Sequence, residues 1–284
     1  MTTIFPASAL TIGEGLLSMY PVVVKSSPVP IDWQVFSRML VYSIFPLFFA
    51  SFKELFSVDL TKWIIVGIIN FLHIWSSYRG FQLLDVGFAL TVFYLYPIFN
   101  LLLSNAFLGE SISITKIGLF VLPMYLLYSI YSEGNSFKEI NLLGILLVII
   151  AALTESGMYV MLKTVNLGES YWNPLVFIYL FSFIGITLFQ IIQSDLTSFK
   201  HEVWNKEFGK LSLYNLGLGM FGYMLRFWAI PRLPSVLYSV LSYTGIVSGY
   251  IFGYFFFNET ITKSIFAKLV MFIASLIYIE LGPG

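Results

Sequence analysis

Cysteine is absent from this sequence of 284 residues, and histidine occurs only twice, at His73 and His201. Without cysteine the chain can form no disulfide bond, thiolate metal site or cysteine nucleophile. The two histidines lie in separate regions, so they form no cluster with carboxylates at the spacing of a metal site. The formal net charge is zero, which gives no sign of a nucleic-acid surface. We therefore expect no enzyme, no metal or other cofactor, and no nucleic-acid partner.

Charged side chains are also scarce. They make up 11% of the residues, whereas about 25% is usual for a soluble domain. Hydrophobic residues make up 58%, the mean hydropathy is +0.86, and the longest hydrophilic stretch is residues 194–210. The N-terminus lacks the basic start and the cleavage site of a signal peptide, so the run from Ala7 is expected to remain as a first span. The composition predicts a protein surrounded mostly by the lipid bilayer.

Long apolar runs fill the sequence. A transmembrane helix needs about 20 mostly apolar residues, and a barrel strand needs only about half that number. Ten runs meet the helical length: residues 7–24, 33–50, 63–84, 86–107, 114–131, 143–163, 173–193, 211–230, 236–257 and 264–280. Backbone groups inside lipid must be hydrogen-bonded within the protein, so runs of this length are helices. The prediction is an all-α, multi-pass integral membrane protein with ten transmembrane helices, located in the cell membrane (inner or plasma membrane).

One stretch of the sequence occurs twice. Residues 79–110, which contain a helix end, a short connector and a second helix, return about half a chain length later as residues 226–259. The two copies end alike, at Glu110 and Glu259. Negative charge is favoured at a helix N-terminus, so each glutamate is expected to cap the helix that follows it.

The repeat divides the chain into halves of five predicted spans each, residues 1–135 and 136–284. Because five is an odd number, the second half must lie upside down in the membrane relative to the first. Two inverted five-helix repeats are an arrangement typical of membrane carriers. The sequence leaves open whether the protein is a monomer or an oligomer.

Two glutamates lie well inside predicted spans, Glu14 in the first and Glu155 in the sixth. An ionisable group at such depth costs about 3 kcal/mol or more unless it faces a wet cavity or a partner. We interpret both glutamates as binding sites for a proton or a substrate cation. The alternative is a protonated glutamate that hydrogen-bonds a neighbouring helix and holds two helices together.

Other polar and aromatic side chains recur at helical spacing on single faces of the spans. His73 lies in the third span, where it either relays protons and binds an anionic group or hydrogen-bonds a neighbouring helix as a neutral imidazole. Tyr94 is expected to stack on an aromatic or cationic substrate, with plain packing as the alternative. The full set of predicted substrate-binding or proton-binding residues is Glu14, Asn70, His73, Ser77, Tyr94, Asn100, Glu155, Tyr223, Arg226 and Ser242.

Proline and arginine add local expectations. Pro97 removes a backbone donor near the middle of the fourth span and predicts a break suited to a cavity wall. Arg79 and Arg226 lie near helix ends, where an arginine either reaches the headgroups or binds an anionic group. We favour headgroup contact or a gating ion pair for Arg79 and leave both readings open for Arg226. Arg38 is counted with the basic residues that flank the spans, and these residues do not decide the orientation.

Residues 78–87, 96–98 and 107–110 resemble the drug/metabolite transporter superfamily, in its EamA-like branch. The resemblance covers nearly the whole chain. It implies ten helices in two inverted five-helix repeats, with both termini in the cytoplasm. The second repeat departs from the family at residues 243–247, where the proline after the connector is missing, so the sequence supports no kink there.

A second resemblance concerns Glu155, which is followed by a glycine and, eight residues after the glutamate, by Lys163. This pattern is similar to that of the small multidrug resistance proteins of the same superfamily. The similarity implies a glutamate that exchanges protons for organic cations. The corresponding spacing from Glu14 to Lys25 is three residues longer.

These observations predict a secondary active transporter that moves a small polar metabolite by alternating access, with the proton as the candidate coupling ion. The expected substrate is zwitterionic or cationic, such as an amino acid, an amine or an adenosyl or amino-acid derivative. Glu14 and Glu155 would bind protons or the substrate cation, and His73 and Arg226 would bind an anionic group. No Walker motif is present, so ATP is not the direct energy source. The alternatives are an exporter of organic cations or drugs, a nucleotide-sugar or organophosphate exchanger, and a membrane protein that transports nothing.

Overall fold

Helices form all the regular secondary structure that the computed structural model describes, as the long apolar runs predicted. The description covers residues 4–51, 60–109, 118–134, 141–164, 172–192, 205–229, 232–233 and 235–281. The α-helices are α1 (Ile4–Leu17), α2 (Tyr20–Ser26), α3 (Ile31–Ile44), α4 (Leu60–Leu83), α5 (Val86–Phe93), α6 (Tyr96–Leu108), α7 (Val121–Gly134), α8 (Leu142–Thr164), α9 (Trp172–Ile192), α10 (Lys206–Tyr214), α11 (Met220–Ala229), α12 (Ser235–Ser242), α13 (Thr244–Phe257) and α14 (Lys263–Leu281). A 3-10 helix (Phe45–Phe48) follows α3, and a π-helix (Asn215–Gly219) joins α10 to α11.

Six helical segments within these ranges are long and apolar enough to cross a membrane. They are Ile4–Ser26, Leu60–Leu83, Val86–Leu108, Leu142–Met161, Leu175–Ile192 and Val240–Phe257. They coincide with six of the ten predicted spans, and the number ten stays a prediction. Large apolar side chains such as Phe5, Ile68 and Phe255 are exposed on the outside. An apolar outer surface is what contact with lipid requires.

The helix α3 differs from the predicted span of residues 33–50. It begins at Ile31 and ends at Ile44. Pro46 has no backbone N–H to continue the α-helical pattern, so a 3-10 turn follows instead. The shift places Arg38 in the middle of the helix rather than near its end.

Three of the apolar segments contain a break between two helices. The helix α1 gives way to α2 at Ser18 and Met19, α5 gives way to α6 at Tyr94 and Leu95, and α12 gives way to α13 at Tyr243. A proline in the first turn of α2 and of α6 explains two breaks, because proline starts a helix well but cannot continue one. The break before α6 is the one that Pro97 predicted. The third break forms without a proline, and the sequence did not predict it.

The three breaks meet at the centre of the molecule. The Ser18 hydroxyl donates a hydrogen bond to the carbonyl of Gly245 (3.0 Å), and the Tyr94 hydroxyl donates one to the carboxylate of Glu14 (2.6 Å). Glycine is required at position 245, because a Cβ atom there would collide with the Tyr94 hydroxyl. Non-helical backbone at membrane depth is tolerated only inside the protein or beside a water-filled cavity. The place where the three breaks meet is therefore the first place to look for a functional site.

Helices of the first half pack mainly against helices of the second. The main pairs are α1 with α11, α4 with α8, α3 with α9, α5 with α13 and α7 with α14. The first two pairs are equivalent when the halves are exchanged. The repeated stretches also end alike, since Gly109 after α6 and Asn258 after α13 are both left-handed, with φ of 69° and 53°. The interface between the halves thus runs through the middle of the protein.

Glu259 caps a different helix from the one predicted. Its carboxylate accepts the backbone N–H groups of Val86 (2.6 Å) and Gly87 (3.2 Å), at the start of α5 in the other half. The prediction that it caps the following helix is wrong, because tertiary packing brings the free N-terminus of α5 to this carboxylate. Thr262 caps the following helix instead, by accepting the N–H of Ile265 (3.0 Å). Glu110, for which the same role was predicted, lies outside the described residues.

Candidate functional site

A buried ion pair between Glu14 of α1 and Arg226 of α11 occupies the centre of the molecule. Arg226 donates from Nε to Oε1 and from Nη2 to Oε2 of Glu14, both at 2.7 Å, and neither residue is more than 3% exposed. Tyr94 adds a third hydrogen bond, to Oε2. Gly13 and Gly222 let the two helices come this close, since a Cβ atom on Gly13 would lie 2.9 Å from the carbonyl oxygen of Gly222. Such a two-pronged, charge-assisted contact offsets the cost of burying both charges.

Glu155 of α8 lies on the other side of Arg226. Its Oε1 accepts from Nη1 of Arg226 (3.1 Å), and its Oε2 lies 3.5 Å from Nε2 of His73. Nδ1 of His73 lies 2.9 Å from the carbonyl oxygen of Ala151, which can only accept a hydrogen bond. Nδ1 must therefore carry a proton, and a neutral His73 turns the lone pair of Nε2 toward Glu155. A carboxylate facing a lone pair leaves room for one additional proton between the two groups.

A cavity, here called the first recess, opens beside Glu155. It offers about 50 Å³ to the centres of water molecules, which is room for roughly three to five of them. A carboxylate, a guanidinium and several tyrosine side chains line the recess together with apolar groups. The lining residues are Asn70, Tyr96, Glu155, Met158, Tyr159, Ile178, Tyr179, Tyr223, Arg226 and Tyr238.

A smaller cavity, the second recess, adjoins the first across Tyr223 and Arg226, which line both. It offers about 30 Å³ to the centres of water molecules, enough for roughly two or three. The remaining lining residues are Leu17, Tyr20, Arg38, His73, Ser77, Phe81, Leu90, Phe93 and Tyr94. Charged and polar groups from both halves of the chain therefore surround two adjacent small cavities.

Arg38 is the residue of this centre that the sequence analysis missed. It was counted with the basic residues that flank the spans, but it is 2% exposed and faces the second recess. Its Nη2 donates to the hydroxyl of Tyr223 (2.6 Å). A signal was present in the sequence, because Gln34, Arg38 and Tyr42 recur every four residues and form one buried polar face of α3.

A model of the EamA-like transporter family matches residues 10–129 and 142–281, which is most of the chain. The protein belongs to the EamA-like transporter family. It is thus a transporter of the drug/metabolite transporter superfamily and a multi-pass integral membrane protein, as the resemblance in the sequence implied. A search of curated protein sequences gave no match. A crystal structure of a protein with 15% sequence identity is similar in fold, with a TM-score of 0.63 over 98% of this chain and 96% of that one.

The EamA-like protein brings most of the predicted binding residues together. Glu14, Glu155, His73, Tyr94 and Arg226 form one contiguous network. The rest of the predicted set, apart from Asn100 and Ser242, also lies at the two recesses: Tyr223 lines both, Asn70 lines the first and Ser77 lines the second.

Two predicted residues of the EamA-like protein lie elsewhere. Ser242 is buried and donates to the carbonyl of Tyr238 (2.9 Å), and Asn100 is buried on α6. Neither lines either recess, so a binding role for them stays a prediction. Arg79 is partly exposed and binds both oxygens of Asp32 (3.1 and 3.2 Å), which agrees with the ion pair favoured for it.

Proposed function

We propose that this transporter is a secondary active carrier that moves a small zwitterionic or cationic metabolite by alternating access and couples this movement to protons. The observation that supports the proposal is the pair of His73 and Glu155 at the edge of the two recesses, with Arg226 beside it. Ionisable groups inside a membrane-spanning protein mark ion or substrate pathways by default.

The proton fits between His73 and Glu155. With Nδ1 of His73 held by the carbonyl of Ala151, the pair binds one proton either as an imidazolium beside a carboxylate or as a neutral imidazole beside a carboxylic acid. Glu155 Oε2 is buried and accepts no hydrogen bond from the residues described. A positively charged substrate group in the first recess would bind the same oxygen. Proton and cation would then compete for one site, which is the basis of an exchange mechanism.

We assign Glu14 a different role from that of Glu155. Both of its oxygens are bound to Arg226, and one of them also to Tyr94, so Glu14 holds the guanidinium rather than a substrate in this conformation. Arg226 joins Glu14 in the first half of the chain to Glu155 in the second. A change in the charge of Glu155 would alter this bridge and thereby favour one arrangement of the halves over the other.

An exporter of organic cations is the second candidate, because aromatic rings accompany the carboxylate in the first recess. Tyr96, Tyr159 and Tyr238 line it together with Glu155. Aromatic faces and a carboxylate are the groups that recognise ammonium and quaternary ammonium ions.

The test is uptake into proteoliposomes that contain the full chain. A labelled panel of amino acids, amines, nucleosides and adenosyl compounds is offered with and without a pH gradient. We expect saturable uptake that responds to the gradient, and a loss of this response in Glu155→Gln. Glu207→Gln serves as the matched control, since the side chain of Glu207 is 40% exposed and pairs only with Lys210, three residues later, among the residues described.

Three results would contradict the proposal. One is uptake that ignores the pH gradient, and another is gradient-driven uptake that persists at the wild-type rate in Glu155→Gln. The third is the absence of uptake for the whole panel. Uptake restricted to amines without a carboxylate would favour the exporter of organic cations.

A further inference from the structure

Arg38 is a buried cation without a carboxylate partner among the residues described. Its guanidinium carbon lies 4.3 Å from the ring centre of Tyr20 and 5.0 Å from that of Tyr223. Its hydrogen bonds go to neutral hydroxyls, those of Tyr223 (2.6 Å) and Tyr179 (3.5 Å). Its Nε is buried and donates to no group in the described ranges. A buried guanidinium held only by tyrosines leaves a positive charge to be compensated.

The second recess has the composition of an anion site. It is lined by the guanidinium groups of Arg38 and Arg226 and by the hydroxyl-bearing side chains of Ser77 and Tyr94, and no carboxylate is among the described residues that line it. The first recess, by contrast, contains the carboxylate of Glu155. The two recesses share Tyr223 and Arg226 and therefore lie side by side at these two side chains.

We propose that Arg38 binds the carboxylate of a zwitterionic substrate in the second recess, while Glu155 binds its ammonium group in the first. This inference rests on the proposed function and narrows the substrate from a zwitterion or cation to a zwitterion. The number of charges supports it: the two carboxylates of Glu14 and Glu155 both contact Arg226, and Arg38 has no carboxylate beside it among the residues described. The sum of these four charges is zero, and a zwitterion leaves it at zero, whereas an organophosphate would lower it by about two.

The second half of the chain holds Arg38 in place. The ring of Tyr20 lies beside the Arg38 guanidinium, and its hydroxyl bonds to the Tyr42 hydroxyl (2.7 Å) and to Oδ1 of Asn215 (3.3 Å). Asn215 begins the π-helix, and a Cβ atom on Gly219 at its end would collide with both tyrosine hydroxyls. π-Helical turns occur frequently at functional sites. Since α11 and Arg226 follow directly, binding at Arg38 is linked to the position of the central ion pair.

The test measures binding rather than transport. The purified full chain in detergent is titrated with three matched pairs, each a zwitterion and an amine without the carboxylate. The pairs are glycine betaine and choline, L-leucine and 3-methylbutylamine, and L-methionine and 3-(methylthio)propylamine. Stabilisation against thermal unfolding reports affinity. We expect the wild type to bind at least one zwitterion more tightly than the matching amine. Arg38→Gln should weaken the binding of that zwitterion about 10–100-fold and leave the affinity for the amine unchanged.

Two further variants keep the test decisive. Arg232→Gln is the matched control, since Arg232 is exposed and lines neither recess. Arg38→Lys keeps the charge but loses the forked pair of donors, so we expect the affinity for the zwitterion alone to fall by a smaller factor of about 10. This variant tests the inference if Arg38→Gln does not fold. In the absence of any titrant, Arg38→Gln should not lower Tm, because it removes an uncompensated buried charge.

The inference is overturned if none of the three zwitterions binds, if each amine binds as tightly as its zwitterion, or if an Arg38 variant weakens both members of a pair equally. Stabilisation by inorganic phosphate that depends on Arg38, without stabilisation by a zwitterion, also overturns it. The proposed function has a separate test in the pH-driven uptake assay. Gradient-driven uptake of amines that is unchanged in Arg38→Gln would retain the carrier and refute the zwitterion site. Binding that prefers the zwitterion to its amine, without any uptake, would retain the zwitterion site and refute the carrier.

Discussion

Removing the charge of Glu14 tests the centre of this structure most directly. Glu14→Gln deletes the carboxylate that accepts two hydrogen bonds of 2.7 Å from Arg226, and leaves the buried guanidinium with Glu155 as its remaining counter-charge. Removing one partner of a buried ion pair costs about 3–5 kcal/mol. At roughly 2 °C for each kcal/mol in a large domain, we expect Tm in detergent to fall by about 6 °C or more.

A double-mutant cycle separates the ion pair from other effects of the substitution. Arg226→Gln should be as damaging as Glu14→Gln, because it leaves two glutamates without their cation. The double variant should lose less than the sum of the single losses, with a coupling of about 2–3 kcal/mol. Thermal unfolding followed by tryptophan fluorescence provides the measurement, since the chain contains six tryptophans.

The exposed pair of Glu207 and Lys210 on α10 is the control for this cycle. Both side chains are at least 40% exposed, and the two residues are three positions apart in one helix. Such surface pairs are coupled by about 0.5 kcal/mol or less. If the Glu14 and Arg226 effects simply add, as those of the control pair should, the buried ion pair does not form and the argument for the site fails.

Two further predictions concern other parts of the fold. Gly245→Ala should displace the Tyr94 hydroxyl from its position and lower Tm. Gly209→Ala, in open space on a helix, should instead raise the stability by about 0.5–1 kcal/mol. Equal effects of the two substitutions on Tm would contradict the packing described. In Glu133, the hydrogen bond from Lys268 and those from two hydroxyl groups lower the pKa to about 2. The carboxylate therefore stabilises the contact of α7 with α14 fully above the unfolded pKa of 4.5, and this effect is lost progressively as the pH falls from 4.5 through about 2. Thermal unfolding of wild type and Glu133→Gln between pH 5 and pH 8 should therefore give parallel curves, and a difference that changes with pH in that window would refute the assignment.

Much of the candidate site was predictable from residue type and depth. Glu14 and Glu155 stood out because an ionisable group inside an apolar span is costly, and His73 because it is the histidine within a span. Arg38 was missed because the predicted span began two residues too late and placed it near a helix end. The actual helix begins at Ile31, and the side chain points inward. An error of two residues in a boundary was enough to change the interpretation of a charge.

Other features depended on contacts between segments far apart in the chain. Glu259 lies 173 residues from Val86, whose N–H it accepts, so no local rule could identify the helix that it caps. The break at Tyr243 has no proline, and it becomes intelligible only beside Ser18, which binds the carbonyl of Gly245. Ser242 donates to the carbonyl of Tyr238 in its own helix, and neither Ser242 nor Asn100 is among the residues that line the recesses.

The sequence by itself determined that this protein is helical, lies in the membrane and consists of two related halves, because apolar length and repetition are properties of the chain alone. It also determined which ionisable side chains are too costly to bury unless they contact a partner or a water-filled cavity. The tertiary structure alone decided which of these meet: that Arg226 holds Glu14 and reaches Glu155, that His73 faces Glu155, and that Arg38 faces a recess with no carboxylate among its described lining residues. The reason is physical, since the energy of a buried charge depends on partners within a few ångströms, and only packing between the halves brings those partners together.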